Sequence, residues 1–203
     1  MEQVRKRVVD SKDFLISPKY RASSWRDLHL DTDNEADWSK AIDIVEDRID
    51  GRLVRWINFV VDEKFSGFSV IALDCLLIET LVGFMTGEAS KGPNAFLIGE
   101  LTTGTALRFT KEEAEEFRKN VRNGILHDAE TRCGWIVQRG ESDGQILTKD
   151  GSTIFLNRNA FHRAIVRELD AWLTRIRNGD KALRNNMRQR MEQILRKHSE
   201  AVQ

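Results

Sequence analysis

KEEAEEFRKNVRNGILHDA, residues 111–129, is the stretch on which the reading of this chain turns. Ala114, Phe117, Val121 and Ile125 recur at spacings of three and four. At about 100° per residue they form one apolar stripe of an amphipathic helix. Thr110 precedes the stripe as an N-cap, and Glu112 and Glu113 fall in the first turn, where the helix dipole favours acids. Arg122, Asn123, Leu126 and His127 lie off the stripe, with Asn123 and His127 on one face. Arg122 is offset from His127 by about 140°, a gap its long stem can bridge. Leu126 interrupts this polar face, which suits a face covered by a second chain or a ligand. Gly124 costs a helix about 1 kcal/mol relative to Ala, so its place there predicts close packing or a local backbone need.

Working outward, Ile42, Val45, Ile49, Leu53, Trp56 and Val60 predict a long helix from Trp38 to about Lys64, with a bend at Gly51. Phe68 to Thr86 is apolar nearly all round and reads as the central helix of a bundle. It carries two isolated carboxylates: Asp74 reads as an exposed helix edge, and Glu79 is left open between exposure and a supporting role toward Arg122 or His127. Gly87 to Gly104 reads as a loop with a short helical turn at Ala95 to Leu101, and it holds no phosphate-loop pattern. Trp135–Val137 and Thr153–Leu156 are β-type runs separated by Asp143-Gly144 and Asp150-Gly151, which predicts a hairpin or three-stranded meander over about 134–156. A fourth long helix follows, capped by Asn159, with Phe161, Ile165, Leu169, Trp172 and Ile176 as its stripe. Asn178-Gly179-Asp180 ends it, and Met187, Met191, Ile194 and Leu195 mark a last helix. The expected architecture is mainly α: an up-down helical bundle over 38–203 with a small β insertion, preceded by an irregular arm over 1–37.

Composition narrows the function classes. The chain has 203 residues, 40% hydrophobic and 32% charged, which fits one soluble helix-rich domain with extensions. Net charge is zero, so nucleic-acid contact must come from local charge. Asp31 to Asp50 is acidic and Arg158 to Lys197 is basic, and the plain reading of the basic run is a solvated helix surface. The two cysteines, Cys75 and Cys133, lack metal-type spacing, and His29, His162 and His198 sit in unrelated segments, so no metal site and no cofactor is expected. Met1 to Asp10 lacks a signal-peptide core, and Asp74 and Glu79 interrupt the longest apolar run, so a cytoplasmic protein without a membrane span is expected.

With Arg122-Asn123 followed by His127 near the end of a core helix, and Leu73–Leu81 in the helix before it, the chain resembles the HEPN superfamily of helical-bundle domains. The resemblance covers about Trp38 to the C-terminus. It implies a metal-independent ribonuclease in a toxin–antitoxin or phage-defence setting, with Arg122, Asn123 and His127 as catalytic residues. It also implies a homodimer formed through the face bearing Arg122, Leu126 and His127, RNA as substrate, and an antitoxin or other protein as a further partner. RNA cleavage without metal needs a group that changes protonation near neutral pH and a cation on the phosphate, roles that imidazole and guanidinium fill. Some HEPN domains only bind or scaffold, and an inactive RNA- or protein-binding module is the rival expectation. Read without the resemblance, His127 is a cation at a helix C-terminus and Arg122 is a partner for Glu115.

Overall fold

The computed structural model describes residues 13–89, 95–96 and 109–200, with side chains described to residue 197. Residues 13–37 are part of the body of the protein. Ile16, Ala22, Trp25 and Leu30 are buried, and Ala22–Arg26 forms a short helix, α1. This segment is tied to the next helix by its backbone: Lys19 N–H donates to Asp47 Oδ2 at 3.0 Å, and Arg48 donates to the Ile16 carbonyl. Gly51 is what lets Pro18 approach, since a Cβ there would lie 2.2 Å from Pro18 Cγ.

The first long helix runs as α2 (Glu35–Ile49), a π-helical turn (Asp50–Val54) and α3 (Arg55–Val60). Gly51, where the sequence suggests a bend, lies within the widened turn. Asn34 caps the start, accepting from Ala36 N–H at 3.1 Å. After the turn at 61–66, α4 (Gly67–Thr86) forms the centre of the bundle and buries Val70, Ile71, Leu77, Ile78, Leu81 and Phe84. By length and composition α4 could cross a membrane, but most of it is buried against other helices, as a core helix is. It ends at Gly87, whose φ of 79° supplies the left-handed cap. Of the helical turn expected at Ala95–Leu101, only Ala95 and Phe96 fall among the described residues, and both are buried.

The helix over residues 111–128 runs as α5 (Lys111–Glu116), a π-helical turn (Phe117–Arg122) and α6 (Asn123–Asp128). Thr110 and Glu113 form a reciprocal capping box, with bonds of 3.1 and 3.0 Å. The stripe is buried as expected: Ala114, Phe117, Val121 and Ile125 are all in the core. Phe117 sits in an aromatic cluster, with ring centroids 5.0 Å from Phe96, 5.2 Å from Phe161, 5.3 Å from Phe109 and 5.9 Å from Trp135. That cluster fixes the helix to the rest of the bundle.

The β insertion is a three-stranded mixed sheet and not a meander. Strands β1 (Trp135–Gln138), β2 (Leu147–Asp150) and β3 (Thr153–Asn157) lie in the order β1-β3-β2. β2 and β3 form the antiparallel hairpin, and β1 runs parallel to β3 on its other side. A meander needs a tight turn between β1 and β2, whereas the connection over 139–146 is long enough to carry the chain across. Asn157 holds that connection, donating from its backbone N–H to the Ile146 carbonyl and from Nδ2 to the Glu141 carbonyl, both at 2.9 Å. Two helices complete the bundle, α7 (Arg158–Arg177) and α8 (Lys181–Glu200). The N-cap of α7 is Asn157, which accepts from Ala160 N–H, and not Asn159. Helices α7 and α8 both pack on α4.

The opposed charge runs meet in space. Arg184 donates to both oxygens of Glu35 at 2.7 and 2.8 Å, Arg177 pairs with Glu46, and Lys181 lies 3.2 Å from Asp33. Arg163 and Arg167 share Asp143, and Arg188 pairs with Glu192. Most of the C-terminal basic run is therefore matched within the chain.

Candidate functional site

Arg122 ends the π-helical turn and Asn123 begins α6, so both are placed by the widened segment. The wider turn changes the local bonding, and Arg132 N–H donates to the Asn120 carbonyl at 2.9 Å. The chain then reverses sharply: Ala129 N–H donates to the Ile125 carbonyl, Glu130 N–H approaches the Gly124 carbonyl, and Ala129 sits at φ 55°. Gly124 faces this returning strand. A Cβ on it would stand 2.4 Å from the Glu130 carbonyl oxygen. The glycine that is costly for a helix is required by the close approach at its end.

Arg122 does not pair with Glu115. Its guanidinium lies against Glu79 of α4, with Nε 3.1 Å from Oε1 and Nη2 3.5 Å from Oε2. Nη1 donates to Asn123 Oδ1 at 3.3 Å. The two charged side chains are 23% and 29% exposed, so the pair lies at the edge of the bundle. An arginine carries five N–H groups. Glu79 takes the Nε and Nη2 side and Asn123 takes one N–H of Nη1, which leaves one N–H on each terminal nitrogen. Those two remain as donors of the kind that meet the oxygens of a phosphate.

His127 is exposed in the last turn of α6 and has no hydrogen-bond partner among the described residues. Leu126, between Arg122 and His127, is 42% exposed, and Leu76, one turn before Glu79 on α4, is 43% exposed. The site thus combines a held guanidinium, an amide that touches it, an unengaged imidazole and an apolar border. Asp128 is occupied by Arg132, whose Nε donates to it at 2.8 Å. Among the described residues no group of three or more His, Cys, Asp or Glu side chains could hold a metal ion. Cys75 is buried and Cys133 exposed, and both are free thiols.

A second polar cluster was not foreseen from the sequence. Asp74 is no exposed edge: it is fully buried, and its Oδ1 lies 2.7 Å from His162 Nδ1 of α7. The other ring nitrogen, Nε2, lies 3.0 Å from Asn58 Oδ1 of α3. Burial pushes the Asp74 carboxyl up to about 6, against the opposing pull of the imidazole. A carboxylate on a helix that is apolar nearly all round requires an internal partner. His162 stands three residues before Ile165 on the buried stripe of α7, which was the available signal.

Comparison of the chain with models of known protein families, with curated proteins and with solved structures found no match.

Proposed function

We propose that this protein is a metal-independent endoribonuclease of the HEPN type, acting in the cytoplasm as a homodimer. The observation that carries the reading is the guanidinium of Arg122, held side-on by Glu79 with N–H donors to spare, on the same short segment as an exposed His127. A structural arginine would be expected to have its donors consumed within the fold. Here the carboxylate holds the group and leaves two N–H donors over.

In the proposed reaction the ribose 2′-oxygen attacks the adjacent phosphorus. The 2′-O–P bond forms and the P–O5′ bond breaks. The 2′-hydroxyl proton passes to a base, and the departing 5′-oxygen takes a proton from an acid. The products are a 2′,3′-cyclic phosphate and a 5′-hydroxyl. Arg122 stabilises the charge that develops on the phosphate oxygens, and Asn123 keeps the guanidinium in its plane. One imidazole cannot hold both proton roles at once, and a second copy of the chain supplies the second His127. The exposed Leu126 and Leu76 beside the site suit such a contact. The ion pairing of the C-terminal arginines weighs against the rival module that binds RNA through those helices.

The test is cleavage of a mixed RNA pool by purified protein in EDTA, beside Arg122→Ala and His127→Ala. Cleavage that survives chelation and is lost in both variants, with their far-UV spectra unchanged, is the expected result. Cleavage that persists equally in the variants would remove the reading.

A further inference from the structure

We infer that Arg118 and Lys119 form a second phosphate subsite beside Arg122, which holds the phosphate next to the scissile one on a single strand of RNA. The inference rests on the ribonuclease reading and extends it from one phosphate to two.

Arginines in this chain are almost all committed within the fold. Among the described residues, Arg118 is the one arginine with no polar, charged or ring partner. Its neighbour Lys119 is exposed and also has none among those residues. Acids are close enough in sequence to have claimed them. Glu115 and Glu116 stand four and three residues before Lys119, spacings that allow ion pairs on a helix. Neither carboxylate pairs with Arg118 or Lys119. Glu113 is used by the capping box and by Lys149.

Both cations belong to the π-helical turn that ends at Arg122. Phe117, Asn120 and Val121 are the buried residues of that turn, which leaves positions 118 and 119 on its outer side with Arg122. Backbone bonds in a π-helical turn reach the fifth residue, so Arg118 stacks under Arg122 and Asn123. Lys119, Asn123 and His127 recur every four residues and share a face. The subsite therefore lies one turn before the cleavage groups. A turn of helix advances about 5.4 Å, the order of the step between successive phosphates, and the long stems of Arg118 and Lys119 take up the difference. Leu126 and His127 lie on the other side of Arg122 along the axis, so a strand held here leaves the apolar border to the second copy.

Local charge agrees. From Phe117 to His127 there are three fixed cations and no acid, in a chain whose net charge is zero. Glu79 from α4 balances one of the three. Two positive charges remain for the backbone of a nucleic acid.

The experiment measures binding of the full-length protein to a short oligouridylate methylated at every 2′-oxygen, which blocks attack by the 2′-hydroxyl. Fluorescence anisotropy gives the affinity between about 50 and 200 mM salt. Arg118→Gln/Lys119→Gln is compared with Lys64→Gln/Lys197→Gln, which removes the same charge from two exposed cations elsewhere. Glutamine suits a helix as well as the residues it replaces, so the variant keeps the fold. The first pair is expected to weaken binding about tenfold, the worth of one charge-assisted hydrogen bond. It is also expected to lower the slope of log K against log salt by about 0.7, the loss of one phosphate contact on a single strand. The second pair is expected to change neither. An unchanged slope and affinity in the first pair, an equal fall in the second, or no binding by the unaltered protein would overturn the inference. Cleavage in EDTA is scored separately. Cleavage without the fall removes the subsite alone, and the fall without cleavage keeps the phosphate contact and removes the ribonuclease reading.

Discussion

Replacing Gly124 by alanine opposes two terms of known sign. Helix propensity favours the change by about 1 kcal/mol, because alanine restricts the unfolded chain and suits a helix. Against it stands the Glu130 carbonyl oxygen, 2.4 Å from the position the new methyl would take. The obstructing atom is backbone, held in the reversal at Ala129 and by the bond from Arg132 N–H to Asn120. It cannot turn aside as the end of a side chain would. Forcing such a contact apart costs about 1–3 kcal/mol in well-packed surroundings, and this contact belongs at the upper end. The net expectation is a loss of about 1–2 kcal/mol, read from urea denaturation at equal slope. Because the reversal follows His127 directly, RNA cleavage in EDTA is expected to fall further than stability alone explains. A Gly124→Ala protein as stable as the original or more so would refute the close approach as the reason for glycine at this position.

Glu79→Gln keeps the shape of the side chain but removes its charge and one of two acceptors for Arg122; cleavage is expected to fall by about tenfold in kcat, with the thermal midpoint little changed, since a partly exposed pair contributes about 1 kcal/mol or less. Unchanged kcat would show that Glu79 does not aim Arg122. Asp74 has a folded-state carboxyl raised to about 6 from 3.8. Between those pH values the folded protein holds the proton more firmly than the unfolded chain, so this group's contribution to stability falls as pH rises through the window. Asp74→Asn keeps an oxygen toward His162 and removes the titration. The stability of the original relative to this variant should therefore decline from about pH 4 to pH 6, as measured by denaturation at each pH. A difference that is flat or rises across that window would contradict the burial of an ionisable Asp74.

Hydrophobic periodicity and end signals carried most of the helical reading. The stripe of residues 114–125, the Thr110 cap and the break at Asn178-Gly179-Asp180 are local features, set by contacts within a turn or two, and they stand in the structure where the residues indicate. The β runs were legible for the same reason, and their order was not. Whether β2 lies beside β1 or beyond β3 depends on the path of the 139–146 connection and on what Asn157 grips, and alternation of side chains is silent on both. Asn157 and Asn159 are equally good caps by residue type, and the choice between them follows from where β3 ends: Asn157 is the last extended residue and the helix begins at Arg158.

By itself, then, the chain determined where its helices lie, which faces they bury, and that Arg122, Asn123 and His127 share one short segment. Those properties rest on interactions between residues close in sequence. Tertiary structure alone decided which charges are free. Glu79 reaches Arg122 across 43 positions, and Asp74 reaches His162 across 88. The acidic run before Asp50 neutralises arginines more than a hundred residues later. Charge acts through space, and composition cannot show which partner the fold will bring within 3 Å. That pairing separates a guanidinium with donors to spare from one consumed in holding the bundle together.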